Sequence, residues 1–177
     1  MARMRAYIAL GSNVGDRAAH LRAGVEGIAR AAGEIRALSS VWETEPVEGA
    51  GPGLFLNMAA AVETERAPEE ILAGLLAIEA SRGRTRGGRV APRTLDLDLL
   101  LLGDLRRDTK ALVLPHPRLE TRRFVLAPLA EIAPDLTLPA SGRTVAAALS
   151  ALPDRHAVRR VGRLYTPEGT PVYSPAP

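Results

Sequence analysis

The chain has 177 residues, 46% hydrophobic and 24% charged, with a formal charge of +3 and no cysteine. That length fits one domain with a substantial core, and the absence of cysteine excludes disulfides and thiolate metal sites. No apolar run approaches the length of a transmembrane helix and the N-terminus lacks a signal-peptide core, so a cytoplasmic protein without membrane contact is expected. Aromatic residues make up 3%, too few for platforms that stack several nucleic-acid bases. The basic residues are almost all arginine, with Lys110 the only lysine. High Ala, Gly and Pro content makes genome composition the plain source of that bias. The clustering of arginines between positions 82 and 93 is a separate feature.

In chain order, residues 5–10 (R-A-Y-I-A-L) predict a strand. Gly11, Ser12, Asn13 and Gly15 are turn residues, and Asp16 suits a helix N-cap. Leu21, Val25, Ile28 and Ala32 recur at helical spacing, predicting a helix over 17–32 that stops at Gly33. Residues 35–42 predict a second strand. Residues 43–53 are rich in Gly and Pro and predict a long loop, either a lid or an idle surface loop. Residues 54–63 predict a third strand, with Phe55, Asn57, Ala59 and Ala61 on one face and Leu54, Leu56, Met58, Ala60 and Val62 on the other. Phe55 and Asn57 could floor a pocket for a planar ring, one stacking and the other hydrogen-bonding. The alternative is that Asn57 pairs with backbone. Pro68, Glu69 and Glu70 open a second helix that ends near 81.

An arginine loop, R-T-R-G-G-R at 84–89, leads into R-V-A-P-R-T-L-D-L-D-L-L-L-L at 89–102. Alternation and Pro92 favour a strand. Thr94, Asp96, Asp98 and Leu100 would share one face, and Leu95, Leu97, Leu99 and Leu101 the other. Two like charges on one face repel and need compensation. Arg82, Arg84, Arg86, Arg89 and Arg93 stand nearby, but they are not expected to crowd between the carboxylates without a shared anion. A hard cation such as Mg2+, bridging the acids to substrate phosphates, satisfies both signs. The alternative is an edge strand whose acids face water and pair with surface arginines.

Residues 111–114 form a short apolar piece, and Pro115-His116-Pro117 precedes Arg118, Arg122 and Arg123. His116 reads equally as a turn residue or a phosphate contact. Residues 125–132 predict a helix interrupted by Pro128, and 144–152 a last short helix. A peripheral strand or arm follows Pro153. One domain over 1–164 is expected, then a Pro-rich tail over 165–177. The order strand–helix–strand–strand–helix–strand is that of an α+β ferredoxin-like sandwich: a mixed, mostly antiparallel sheet with helices packed on it. Two helices would cover one face, leaving the face of Phe55, Asn57, Asp96 and Asp98 free for ligands.

These stretches resemble the 6-hydroxymethyl-7,8-dihydropterin pyrophosphokinase family of folate biosynthesis. The resemblance rests on P-R-T-L-D-L-D-L-L-L with the preceding G-R-T-R, the opening Y-I-A-L-G-S-N, Thr44 and Pro46, F-L-N at 55–57, A-P-E-E-I-L, L-P-H-P before Arg122, and A-P-L-x-E-I-A-P. It implies a monomeric enzyme that binds ATP and two Mg2+ ions and moves the β,γ-pyrophosphoryl group to the pterin hydroxymethyl oxygen, releasing AMP. By match, Asp96 and Asp98 would hold the metals, and Arg84 and Arg93 would neutralise the transferred group. Glu79, Arg86, Arg89, His116 and Arg122 would bind ATP. Thr44, Pro46, Val47, Phe55, Asn57 and Phe124 would form the pterin slot. Val90 stands where the family often has Trp, and Glu45 where it has Pro. Two other readings compete: a different Mg2+-dependent nucleotidyl or cyclase reaction, and a basic RNA-binding module, whose paired stacking aromatics the predicted strands lack.

Overall fold

A computed structural model describes residues 2–46, 53–83, 93–153 and 157–165. The elements are β1 (Met4–Ser12), α1 (Arg17–Ala31), β2 (Glu34–Leu38), β3 (Val41–Thr44), β4 (Phe55–Thr64), α2 (Pro68–Ser81), β5 (Asp96–Leu102), β6 (Arg107–Asp108), β7 (Val113–Leu114), α3 (Arg123–Ile132), α4 (Val145–Ala151) and β8 (Val158–Gly162). The main sheet runs β5-β1-β4-β3-β8, with β2 also on β4. Its pairings among the described residues are antiparallel. This is the expected α+β sandwich, an antiparallel sheet with helices packed on it.

One face carries the main core. Leu21, Val25 and Ile28 of α1 and Ile71 and Leu75 of α2 pack there on Ile8, Leu10, Met58, Leu97 and their neighbours. Asp16 caps α1, its carboxylate accepting the Ala19 N–H at 3.0 Å. The two helices approach closely because their contact is made of small residues. A Cβ at Gly74 would come 2.7 Å from the Ala31 Cβ, and one at Gly27 would come 2.8 Å from Ile78.

The second face is not free along its length. Leu119, Val125, Leu126 and Leu129 pack with Val145 and Ala148 over Ala59, Leu100 and Leu101, a second core that seals one end of it. Helix α3 starts at Arg123 and runs unbroken through the buried Pro128, so the expected interruption is absent. The leucine run serves both cores through a bulge. Ile8 pairs with Leu99 but Tyr7 with Leu101, so Leu100 is the extra residue and shifts the alternation. Leu101 therefore leaves the face of Leu95, Leu97 and Leu99 and joins Leu100, while Leu102 returns to the first core.

The second predicted strand divides in two. Ser39 and Ser40 break it between β2 and β3, both of which pair with β4. The break is bonded internally: Ser39 N–H donates to Ala59 O and its Oγ accepts the Ala59 N–H, each at 2.9 Å. Glu131 of α3 collects the neighbouring donors, accepting Ser40 N–H at 3.0 Å, Ser40 Oγ–H at 2.7 Å and Trp42 Nε1–H at 3.0 Å. The small β6–β7 hairpin, which periodicity did not reveal, sets the chain up for His116, whose N–H donates to Leu100 O. The C-terminal arm is an edge strand, β8 on β3.

Three donors on one carboxylate make Glu131 the main polar tie between α3 and the sheet. Glu131→Ala is expected to cost about 3 kcal/mol, since hydrogen bonds to charged groups are the stronger class and the Trp42 donor would lose its partner. For a chain of this size that is a fall in Tm of roughly 10 °C, measured by calorimetry.

Candidate active site

The register brings the chemistry-bearing side chains to the open end of the second face. Gly11 of β1 pairs with Asp96 of β5 on one side and Asn57 of β4 on the other, and Ala9 likewise with Asp98 and Ala59. Thr44 of β3 pairs with Phe55. Opposed residues of antiparallel neighbours share a face. Asp96 and Asn57 thus lie two strand spacings apart, about 10 Å, across Gly11. A Cβ at Gly11 would come 3.0 Å from Asn57 Oδ1 and 3.8 Å from Phe55 Cδ1. With no side chain on Gly11, the Asn57 amide and the Phe55 ring lean over β1, and the strip of β1 between them and the acids of β5 is the trough of the site. Gly11 reads in the sequence as a turn residue; its place inside β1 depends on pairing with two distant strands.

On the amide wall, buried Asn57 donates through Nδ2 to Thr44 Oγ1 at 2.7 Å, so its partner is a side chain and not the backbone. Phe55, on the same face of β4, is half-buried, as is Pro46 two positions beyond Thr44. Val47 lies outside the described residues, as do Arg84, Arg86 and Arg89.

On the acid wall, Arg93 Nη1 donates to Asp96 Oδ2 at 2.7 Å. An arginine therefore reaches the carboxylate directly, contrary to the expectation that a shared anion must come between them. The backbone of Arg93 is gripped by Asn13, whose N–H donates to Arg93 O at 3.1 Å and whose Oδ1 accepts the Arg93 N–H at 2.9 Å. Glu79, expected among the ATP-binding residues, faces β5 from α2. It is 3% exposed, and its Oε1 accepts the Leu97 N–H at 2.8 Å. A carboxylate on α2 thus holds the edge strand between the two aspartates.

The loop before α3 closes the acid wall. The Arg122 guanidinium lies 5.4 Å from the Phe124 ring centroid, within cation–π range. Burial, with repulsion from Arg118 and Arg93, pushes the Arg122 pKa down, while Asp98 and Asp96 oppose the shift. Burial and the charges of Arg122 and Arg118 likewise lower the His116 pKa, against a smaller pull from Asp96. His116 Nδ1 accepts the Arg118 N–H at 3.1 Å, so the neutral ring carries its proton on Nε2. Arg118, which was not among the expected site residues, stands two positions from His116 and completes a cluster of cations around two acids.

Asp96 and Asp98 could hold a divalent cation. Their donors are all oxygen, on one face of a strand, and both are partly exposed. Among the described residues no group of three or more His, Asp or Glu is placed to share an ion. A hard cation there would complete its shell with water and phosphate oxygens, the usual habit of Mg2+.

The model of the family described as 7,8-dihydro-6-hydroxymethylpterin-pyrophosphokinase (HPPK) matches residues 7–134. The chain belongs to the HPPK family. A relative from Methylorubrum extorquens, named 2-amino-4-hydroxy-6-hydroxymethyldihydropteridine pyrophosphokinase, is 44% identical over 158 residues, covering 89% of this chain and 98% of its own. One of the same name from Bacillus subtilis is 48% identical over 128 residues, 72% of this chain and 77% of its own. The fold is similar to that of a Plasmodium falciparum HPPK-DHPS crystal structure at a TM-score of 0.69 and 13% identity, over 84% of this chain and 43% of that one.

The lowered His116 pKa has a consequence for stability. Below the ordinary value of 6.5 the unfolded chain takes up the proton before the folded one does. His116 therefore contributes stability above pH 6.5 that is lost as pH falls through its lower folded value. Measured by Tm from pH 7.5 to 5, His116→Gln should gain on the wild type as the pH drops.

Proposed function

We propose that the trough is the active centre of a monomeric, cytoplasmic pyrophosphokinase. The family reaction transfers a pyrophosphoryl group to 6-hydroxymethyl-7,8-dihydropterin in folate biosynthesis, with ATP as the donor. The hydroxymethyl oxygen bonds to the β-phosphorus and gives up its proton to solvent, the bond from that phosphorus to the α-phosphate oxygen breaks, and AMP leaves with that oxygen. The observation that carries the reading is the register Asp96–Gly11–Asn57, which sets a carboxylate and an amide on either side of one residue without a side chain.

Each wall has a task. The pterin stacks between Phe55 and Phe124 and presents its polar edge to Asn57, which Thr44 holds in orientation. Asp96 and Asp98 would hold the two Mg2+ ions, which when bound would offset phosphate charge and align the reacting groups. Arg122, Arg118 and the Nε2–H of His116 face the phosphates. Arg93, which pairs with Asp96, also faces the transferred group. Arg84, Arg86 and Arg89 supply further positive charge. Pro46 and Val47 complete the slot, and Glu79 holds the β5 edge beneath the nucleotide. Such transfer needs alignment and charge neutralisation more than covalent help from the protein.

The reading is tested by following AMP release from ATP, with and without the pterin and Mg2+. AMP that depends on both is expected. Asp96→Ala and Asp98→Ala should each lower kcat by about a thousandfold or more, with the fold intact by circular dichroism. Near-normal turnover in either variant would refute the metal assignment. Release of pyrophosphate in place of AMP would favour a nucleotidyl or cyclase reaction instead.

Gly11→Val tests the trough. Its side chain would press on Asn57 and Phe55, and overpacking of this kind costs about 1–3 kcal/mol. The pterin KM should rise about tenfold or more while the ATP KM stays within about twofold.

A further inference from the structure

Thr44 and Phe55 form the last rung of the β3–β4 ladder. Two walls of the pterin slot therefore stand where an antiparallel pair ordinarily frays. On the opposite side of the sheet, one guanidinium bridges the two strands at this point. Arg17, the first residue of α1, donates through Nη1 to Leu54 O at 2.8 Å and through Nη2 to Glu43 Oε2 at 3.3 Å. Glu43 precedes Thr44 and Leu54 precedes Phe55, so the two acceptors flank the final rung. The second carboxylate oxygen of Glu43 accepts from Arg159 Nη2 at 2.9 Å, and Arg159 is its register partner on β8.

We propose that Arg17 is a positioning residue for the pterin slot, clamping the end of the β3–β4 ladder through Glu43 and the Leu54 carbonyl, with β8 bracing the same carboxylate through Arg159. The inference rests on the assignment of Thr44, Phe55 and Asn57 to pterin binding. Arg17 does not touch the ligand, because Glu43 points to the face opposite Thr44. Its side chain is 23% exposed and that of Glu43 16%, so solvent competes weakly for the pair. Arginine suits the task because a planar fork reaches two acceptors at once, which the single ammonium of lysine does less well. The Arg159 contact is the lesser member, since that side chain is 74% exposed.

The test measures 6-hydroxymethyl-7,8-dihydropterin affinity by fluorescence titration of the full chain, with Mg2+ and α,β-methylene-ATP present. Nucleotide affinity and Tm are measured in parallel. Arg17→Met should weaken pterin binding about tenfold and leave nucleotide affinity within about twofold. Arg17→Lys should recover part of the loss, and Glu43→Gln should fall between. Arg159→Ala should move pterin affinity by no more than about twofold. A lower Tm with unchanged pterin affinity would make Arg17 merely structural and overturn the proposal. If Arg17→Met does not fold, Arg17→Lys and Glu43→Gln carry the same comparison, and unchanged pterin affinity in both overturns it. A wild-type chain that binds nucleotide but no pterin would sink the slot assignment, and this inference with it.

Discussion

Asp96 and Asp98 share one face of an edge strand, and the fold around them is arranged to make that tolerable. Coulomb repulsion at this spacing is offset where cations are close and partly withdrawn from water. Arg93 meets Asp96 directly, and Arg122 sits half-buried under the influence of both acids. The compensation is local and incomplete, because Arg93, Arg118 and Arg122 also repel one another, and burial adds to the strain on Arg122. Such a cluster gains from both kinds of ligand at once. A divalent cation relieves the carboxylates and a polyphosphate relieves the guanidiniums. The arrangement therefore suits a metal–nucleotide pair better than either component alone.

The same strand explains why the site lies at one end of the sheet. A bulge at Leu100 turns two successive leucines toward α3 and α4, and those helices take half of the second face. The half they leave open is the half where β1 offers Gly11. Glu131 secures the division, because its three hydrogen bonds tie α3 to the break between β2 and β3. The covered half gives rigidity to Trp42 and β3, and through β3 to Thr44.

What the sequence made legible follows from the range of the forces involved. The α1 cap at Asp16, the α2 start at Pro68 and the faces of β4 arise from local preference and period, and they stand where residue spacing put them. The Ser39–Ser40 break, the Leu100 bulge and the unbroken α3 do not. Each is fixed by partners from 20 to 91 positions away or by a helix packing on top, and no local pattern encodes those partners. The site divides in the same way. Asp96, Asp98, Asn57 and Phe55 carry recognisable chemistry in a recognisable period. Gly11 carries none, and its importance is the absence of atoms between two neighbours that the sequence does not show to be neighbours.

Residue type is a poor guide to task when the backbone itself needs partners. Glu79 has the look of a ligand contact, and it also satisfies the Leu97 N–H of β5. Asn13 looks like a turn residue, but it supplies two hydrogen bonds that hold the main chain of Arg93. A buried N–H without a partner costs about as much as a lost hydrogen bond, so the outer side of an edge strand must be satisfied from outside the sheet. Helix α2 meets that demand from one side of Asp96 and the β1 terminus from the other. The main chain on either side of Asp96 is thereby held by Asn13 and Glu79, and a side chain keeps its direction only when the backbone that carries it is held in this way.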